Sequence, residues 1–241
     1  MIEWQNVSFG YGRSQVLHQV SCRMENGTVV GLIGPNGAGK TTMLRLGARI
    51  LKPQEGLVLV DGKPAGDESA RGFAKKLAFL PQSRPVPAIS VRSLVGLGRF
   101  AHGKGDSEAV EQAMETVGIT RLAERDVRTL SGGQRQMAYL AMLLSQESPN
   151  VLLDEPFTHL DIGAQLDVAQ VIRRMKDAGK CVGIVMHDLN LLDKVCDRAV
   201  LMDGGSIVYD GNAADCLWSE ALQNAFDVRI LENQGISFAK R

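Results

Sequence analysis

Gly34-Pro35-Asn36-Gly37-Ala38-Gly39-Lys40-Thr41 is the stretch that decides the fold. It matches GxxxxGK[ST] and is followed by a further hydroxyl residue, Thr42. Before it runs Val29-Val30-Gly31-Leu32-Ile33, a continuous apolar segment of the kind a buried parallel strand requires. After it, Thr41 to Leu51 reads as a helix. Strand, glycine loop and helix in that order form the context in which the pattern denotes phosphate binding. The glycines let backbone N–H groups approach phosphate oxygens with no Cβ in the way, and the helix start adds the positive end of its dipole. In such loops the lysine, here Lys40, reaches the β- and γ-phosphates, and the hydroxyl, here Thr41, binds Mg²⁺. The bare pattern is expected by chance in roughly one chain in a hundred of this length, so the flanking elements do the discriminating.

Working outward, Ile2 to Phe9 and Val16 to Met24 alternate like strands around the turn-prone Gly10-Tyr11-Gly12-Arg13-Ser14. Leu77 to Leu80, Val151 to Leu153 and Cys181 to Met186 are short apolar runs of strand length. A helix with apolar spacing, Asp167 to Ala178, lies between the last two. Strands alternating with helices predict an α/β core with a mostly parallel sheet. Pro85 and Pro87 interrupt that pattern, and Val91 to Leu97, Ser107 to Val117 and Gly132 to Ser145 all read as helices. The chain is therefore expected to be one domain over 1–241. Residues 1–84 and 148–241 form the core with an N-terminal antiparallel β subdomain, and 85–147 an inserted helical subdomain. A hairpin is predicted from Ala199 to Met202 and Ser206 to Tyr209, turning at Asp203-Gly204-Gly205. A closing helix capped by Asn212 follows, with little chain expected beyond it.

Composition narrows the class further. Among 241 residues, 27 Lys and Arg balance 27 Asp and Glu, which argues against a nucleic-acid partner bound through a general basic surface. No stretch approaches the roughly 18 apolar residues of a membrane span, and Met1-Ile2-Glu3-Trp4-Gln5 lacks a secretory pattern. The expectation is a cytoplasmic chain that meets a membrane only through a partner. Cys22, Cys181, Cys196 and Cys216 show no metal-like spacing and read as reduced thiols. His18, His102 and His159 form no metal set.

Val151-Leu152-Leu153-Asp154-Glu155 supplies a second half to the phosphate site. An apolar strand ending in acid is how these folds bring a carboxylate beside Mg²⁺. Asp154 is thus the metal-side acid, and Glu155 is placed to polarise an attacking water as general base.

Leu130-Ser131-Gly132-Gly133-Gln134 is far rarer, arising by chance in roughly one chain in several thousand. It resembles the signature of the ABC ATPases. Order and spacing match that family from Ile2 to about Val228. Gln82, after the Leu77–Leu80 run, resembles the family's Q-loop glutamine, Asp161 its D-loop acid, and His187 its switch histidine. Tyr11 is placed like the aromatic that stacks on adenine. The resemblance implies a RecA-like P-loop NTPase fold with ATP and Mg²⁺ as cofactors. It assigns Glu155, His187 and Gln82 to catalysis and Thr41, Gln82 and Asp154 to the metal. Gly34 to Thr42, Tyr11, Ser131, Gly132, Gly133, Gln134 and Asp161 fall to the nucleotide.

It also implies a head-to-tail dimer. The two glycines after Ser131 open a second anion-receiving helix start, which in the family faces the γ-phosphate held by the other subunit. Gln82 then reports the nucleotide to the helical insertion and to a membrane partner, and His187 holds Glu155 in position.

Single motif copies indicate a stand-alone subunit, unlike the two-domain translation-factor members or the coiled-coil chromosome-maintenance relatives. Ser90 to Arg99 and Asp188-Leu189-Asn190 resemble the importer branch that takes up iron–siderophore complexes, haem and cobalamin. That branch implies a separate permease contacting residues near 83–100, an external binding protein, and a place on the cytoplasmic face of the membrane. An ATPase of iron–sulfur cluster assembly and an exporter subunit are the alternatives. Two departures stand out: Phe100 to Asp106 is shorter than is common there, and Phe157 replaces the more usual Thr or Ser.

Overall fold

The computed structural model describes residues 1–103, 107–232 and 236–240. In chain order its elements are β1 (Ile2–Tyr11), β2 (Ser14–Met24), β3 (Val29–Ile33), α1 (Lys40–Gly47), β4 (Glu55–Val60), β5 (Lys63–Pro64), α2 (Ala70–Lys76) and β6 (Leu77–Leu80). Three helices follow, α3 (Val91–Gly96), α4 (Ser107–Thr116) and α5 (Gly132–Ser145), then β7 (Asn150–Asp154), α6 (Ile162–Asp177) and β8 (Cys181–Val185). The chain ends with α7 (Leu192–Val195), β9 (Arg198–Asp203), β10 (Ser206–Asn212), α8 (Ala213–Cys216), α9 (Glu220–Phe226), β11 (Val228–Glu232) and β12 (Ile236–Lys240).

Six strands form the central sheet, in the order β10-β9-β3-β8-β7-β6. All neighbours are parallel except the β9–β10 hairpin. A second, antiparallel sheet runs β2-β1-β4-β5, and β11 pairs with β12. The period of two along a strand explains the layering. On β3, Val29 and Ile33 enter the core shared with α5 and α6, whereas Val30 and Leu32 enter the core shared with β1, β2 and α1. On β7, Val151 and Leu153 likewise face the first core and Leu152 the second. Covered on both faces, these strands need apolar residues at every position, which is why they read as unbroken runs. The inserted helices α3 to α5 share the first core, so the signature segment is held against the sheet by apolar burial.

Several elements differ from the sequence expectation. Helix α1 stops at Gly47, short of Leu51, because Arg49 takes a left-handed conformation (φ 59°). The Ile50 N–H then turns back to the Arg45 carbonyl, closing the helix end. Helix α6 begins five residues earlier than predicted, at Ile162. Its early apolar residues Ile162 and Leu166 are exposed, so the inward periodicity starts only at Val168. Strand β4 was not expected, since Pro53 and Gly56 mark its start as loop and its order comes from pairing with β1. Asn212 does cap a helix, but α8 has one turn, and α9 carries its own cap, Ser219. The β11–β12 hairpin beyond α9 stands where little chain was expected. Residues 104–106 of the short segment after Arg99 lie outside the described residues.

Candidate active site

The phosphate loop leaves β3 at Gly34, whose φ of 143° lies outside the range an L side chain adopts readily. A Cβ there would also stand 2.0 Å from the Met202 carbonyl oxygen. Gly39, at φ 99°, is the N-cap of α1, and a Cβ on it would meet Leu17 Cδ2 at 2.5 Å. These two glycines are therefore required by both conformation and space. Between them the loop curls around the buried Lys40, whose Nζ donates to the carbonyls of Gly34 (2.7 Å) and Pro35 (2.8 Å). Burial pushes the Lys40 ammonium below its ordinary value, and the carboxylates of Glu155 and Asp154 pull it back up. No acidic residue occupies the first turn of α1, so the positive end of the helix is left for an anion. The cleft above it measures ≈ 270 Å³, and its lining includes Asn36, Gly37, Gly39, Lys40, Thr41 and Thr42 with Glu155 and His187.

Thr41 Oγ1 donates to Asp154 Oδ1 at 2.9 Å, joining the start of α1 to the end of β7. The other carboxylate oxygen, Asp154 Oδ2, is buried and has no hydrogen-bond partner. Burial raises the Asp154 pKa above the usual carboxylate range, against the pull of the Thr41 hydrogen bond. An orphaned, desolvated carboxylate oxygen is costly, and a divalent cation between it and the Thr41 hydroxyl would satisfy it.

Glu155 follows in the left-handed region (φ 53°), which turns its side chain out of the strand line. Its carboxylate collects three partners from three elements. Gln82 Nε2 donates to Oε2 at 2.6 Å, Thr158 Oγ1 donates to the same oxygen at 3.1 Å, and His187 Nε2 lies 2.6 Å from Oε1. Lys40, Thr41, Glu155 and His187 line one cleft, and Asp154 and Gln82 are hydrogen-bonded to Thr41 and Glu155, so four separate stretches of sequence meet here.

The remaining sequence candidates lie elsewhere. Ser131 is the N-cap of α5 and forms a reciprocal capping box with Gln134. Asp161 caps α6 by accepting from the Ala164 N–H at 2.8 Å. A Cβ on Gly133 would stand 2.9 Å from Ala164 Cβ, so the two helix starts abut. Ser131, Gly133, Gln134 and Asp161 line a separate pocket of ≈ 340 Å³, and none of them lines the phosphate cleft. Tyr11 is the last residue of β1 rather than a loop residue. It is 47% exposed and packs edge-on to Phe9 at 5.0 Å. Val16 of β2 lines the cleft, where Tyr11 does not.

Sequence reasoning missed Thr158. Phe157, the unusual residue before it, is buried in the first core, and the tight turn after Glu155 carries the next hydroxyl back onto the carboxylate. A hydroxyl three residues after a strand-end acid was the available signal. His102 bonds the Gln146 carbonyl, and the four cysteines are free and buried. Among the described residues no cluster could hold a metal through three His, Cys, Asp or Glu side chains, and no helix is long and apolar enough to cross a membrane.

A glycine loop between a parallel strand and a helix, facing a strand-end Asp-Glu pair, defines a P-loop nucleoside triphosphatase. The chain belongs to the ABC transporter family, whose description matches residues 17–158, and as such it is an ATP-binding ATPase. It is 35% identical to the ferric enterobactin transport ATP-binding protein FepC of Escherichia coli, over 94% of this chain and 87% of that protein. It is also 35% identical to the hemin import ATP-binding protein HmuV of Pseudomonas putida, over 96% and 94% respectively. Among solved structures, a chain described as a metal-chelate type ABC transporter in an inward-facing conformation superposes with a TM-score of 0.83. It is 25% identical, with 99% and 96% of the two chains covered.

Proposed function

We propose that the chain is the ATP-hydrolysing subunit of an importer for an iron chelate, a siderophore complex or haem, and that it works as a head-to-tail dimer beneath a separate permease. The observation that carries the catalytic part is the convergence of Gln82, Thr158 and His187 on the Glu155 carboxylate, beside Lys40. Kinship with iron-chelate transport subunits over nearly the whole chain supports the cargo class.

Lys40 exchanges the Gly34 and Pro35 carbonyls for phosphate oxygens when nucleotide enters. Asp154, the Thr41 hydroxyl and Gln82 would hold Mg²⁺, and the ion would neutralise charge on the phosphates. Glu155 accepts a proton from water. That water's oxygen bonds the γ-phosphorus as the bond to the β–γ bridging oxygen breaks. His187 keeps Oε1 of the base oriented, and Thr158 keeps Oε2.

Ser131, Gly132, Gly133 and Gln134, with Asp161, serve the nucleotide held by the partner subunit, consistent with none of them lining this chain's own phosphate cleft. Tyr11 meets the adenine as an exposed ring at the rim. The permease meets residues near 83–100, where Leu97 and Phe100 present exposed apolar side chains. The chain then sits on the cytoplasmic face of the membrane, served by an external binding protein.

Extraction of the tagged chain from membranes in mild detergent should bring one integral membrane protein with it. Cells carrying Lys40→Ala should lose uptake of the iron chelate. Iron–sulfur scaffold proteins in place of a permease, or undiminished chelate uptake in the variant, would overturn the importer reading.

A further inference from the structure

Five residues beyond the signature serine, α5 buries a polar side chain that the mechanism above does not use. Gln136 is only 5% exposed, yet both ends of its amide are engaged. Nε2 donates to the carbonyl of Pro156, the residue after Glu155, at 2.7 Å. Oε1 accepts from Arg84, two residues beyond Gln82, at 2.7 Å. One turn further along the same helix, the Tyr139 ring lies 4.6 Å beneath the Arg84 guanidinium carbon, and its hydroxyl donates to the Pro85 carbonyl. Helix α5 therefore grips the backbone just past the base and the segment just past the Q-loop glutamine, through one amide.

We propose that Gln136 is a positioning residue for hydrolysis, coupling the signature helix to Glu155 through Pro156 and to Gln82 through Arg84. Three features support a role beyond packing. A buried amide satisfied at both ends fixes its neighbours more tightly than an apolar side chain of the same size. The carbonyl it holds belongs to the turn that sets the left-handed backbone of Glu155. And the ≈ 430 Å³ pocket bordered by Gln82, Arg84, Gly132, Gln136 and Glu155 separates the helix start from the base, leaving this bridge as a polar tie across it. A shift of α5 on nucleotide binding would move both arms together.

The test compares the full-length wild type with Gln136→Glu, Gln136→Leu and Arg84→Met. Gln136→Glu keeps the size of the side chain and an acceptor for Arg84, but sets a carboxylate oxygen against the Pro156 carbonyl. Both Gln136 variants should lower kcat about tenfold or more while nucleotide affinity stays within about twofold. Arg84→Met should lower kcat less and add nothing to Gln136→Leu in the double variant.

Unchanged kcat in both Gln136 variants overturns the inference. So does a loss of kcat matched by an equal loss of nucleotide-binding sites and of melting temperature, which is the mark of a purely structural residue. The inference rests on Glu155 as the base, which Glu155→Gln in the same assay tests separately. If that variant keeps its turnover, the base assignment fails; if it is dead while the Gln136 variants are intact, only the coupling fails.

Discussion

The molecule has two glycine-rich helix starts suited to anions, and they are built in opposite ways. At α1 the N-cap is Gly39, left-handed and without a side-chain cap; at α5 it is Ser131, extended and closed by a capping box with Gln134. Neither first turn carries an acid. The phosphate loop owes its shape to its surroundings: the Met202 carbonyl presses on Gly34, Leu17 on Gly39, and Lys40 ties two loop carbonyls together. The signature turn is self-supporting and exposed, with its serine hydroxyl spent on its own helix. The first is a braced cradle with a buried ammonium and two strand-end carboxylates, one bonded to Thr41 and the other held by three side chains. The second offers only N–H groups and a hydroxyl, and the pocket that Ser131, Gly133 and Gln134 line contains none of Lys40, Glu155 and His187. In the proposed dimer a turn of that kind would act on a phosphate brought to it by the other chain.

The comparison breaks hardest at the base. Glu155→Gln should leave nucleotide binding intact, reduce turnover on the order of 10²- to 10⁴-fold, and accumulate an ATP-bound dimer visible by size exclusion. Unchanged hydrolysis would remove Glu155 from that role.

Next in size is a mixing test of the two helix starts. Lys40→Ala and Ser131→Arg chains should each be nearly inactive alone. Mixed one to one, half of the dimers carry one site with both halves intact, so activity should recover to about a quarter of wild type. A mixture as inactive as its components would show that the two sites of a dimer do not fire independently.

Much of this was readable in the sequence because the parts are contiguous. Gly34 to Thr41 and Leu130 to Gln134 are each one short segment, and β3, β7 and β8 announce themselves as unbroken apolar runs because both sheet faces are covered. What stayed hidden depends on three dimensions. Strand β4 is ordered by its partner β1 more than by its own residues. The exposed Ile162 and Leu166 disguised the start of α6. Thr158 meets Glu155 only through the turn that follows a left-handed residue. The Arg84–Gln136–Pro156 bridge joins three segments that no local pattern connects.

A third effect lies away from both helix starts. Burial pushes the Cys22 thiol up to about 12 and those of Cys181 and Cys216 up to about 11, and raises Cys196 as well. A thiol whose pKa is raised on folding contributes stability that is whole below the unfolded value, near 9, and is lost as pH climbs toward the folded one. Stability should therefore be insensitive to these groups up to pH 9, then fall by about 1.4 kcal/mol per pH unit for each thiol. Denaturant melts at pH 8, 9 and 10 would register it, and thiol reagents at pH 8 should label the folded chain slowly. Rapid labelling of all four would contradict their burial.

The most direct test of the two-chain site is turnover per chain measured across a dilution series, with association state followed by sedimentation in the same buffer. The account predicts that specific activity falls toward zero as the ATP-bound dimer dissociates. Constant specific activity in samples that sediment as single chains would contradict it.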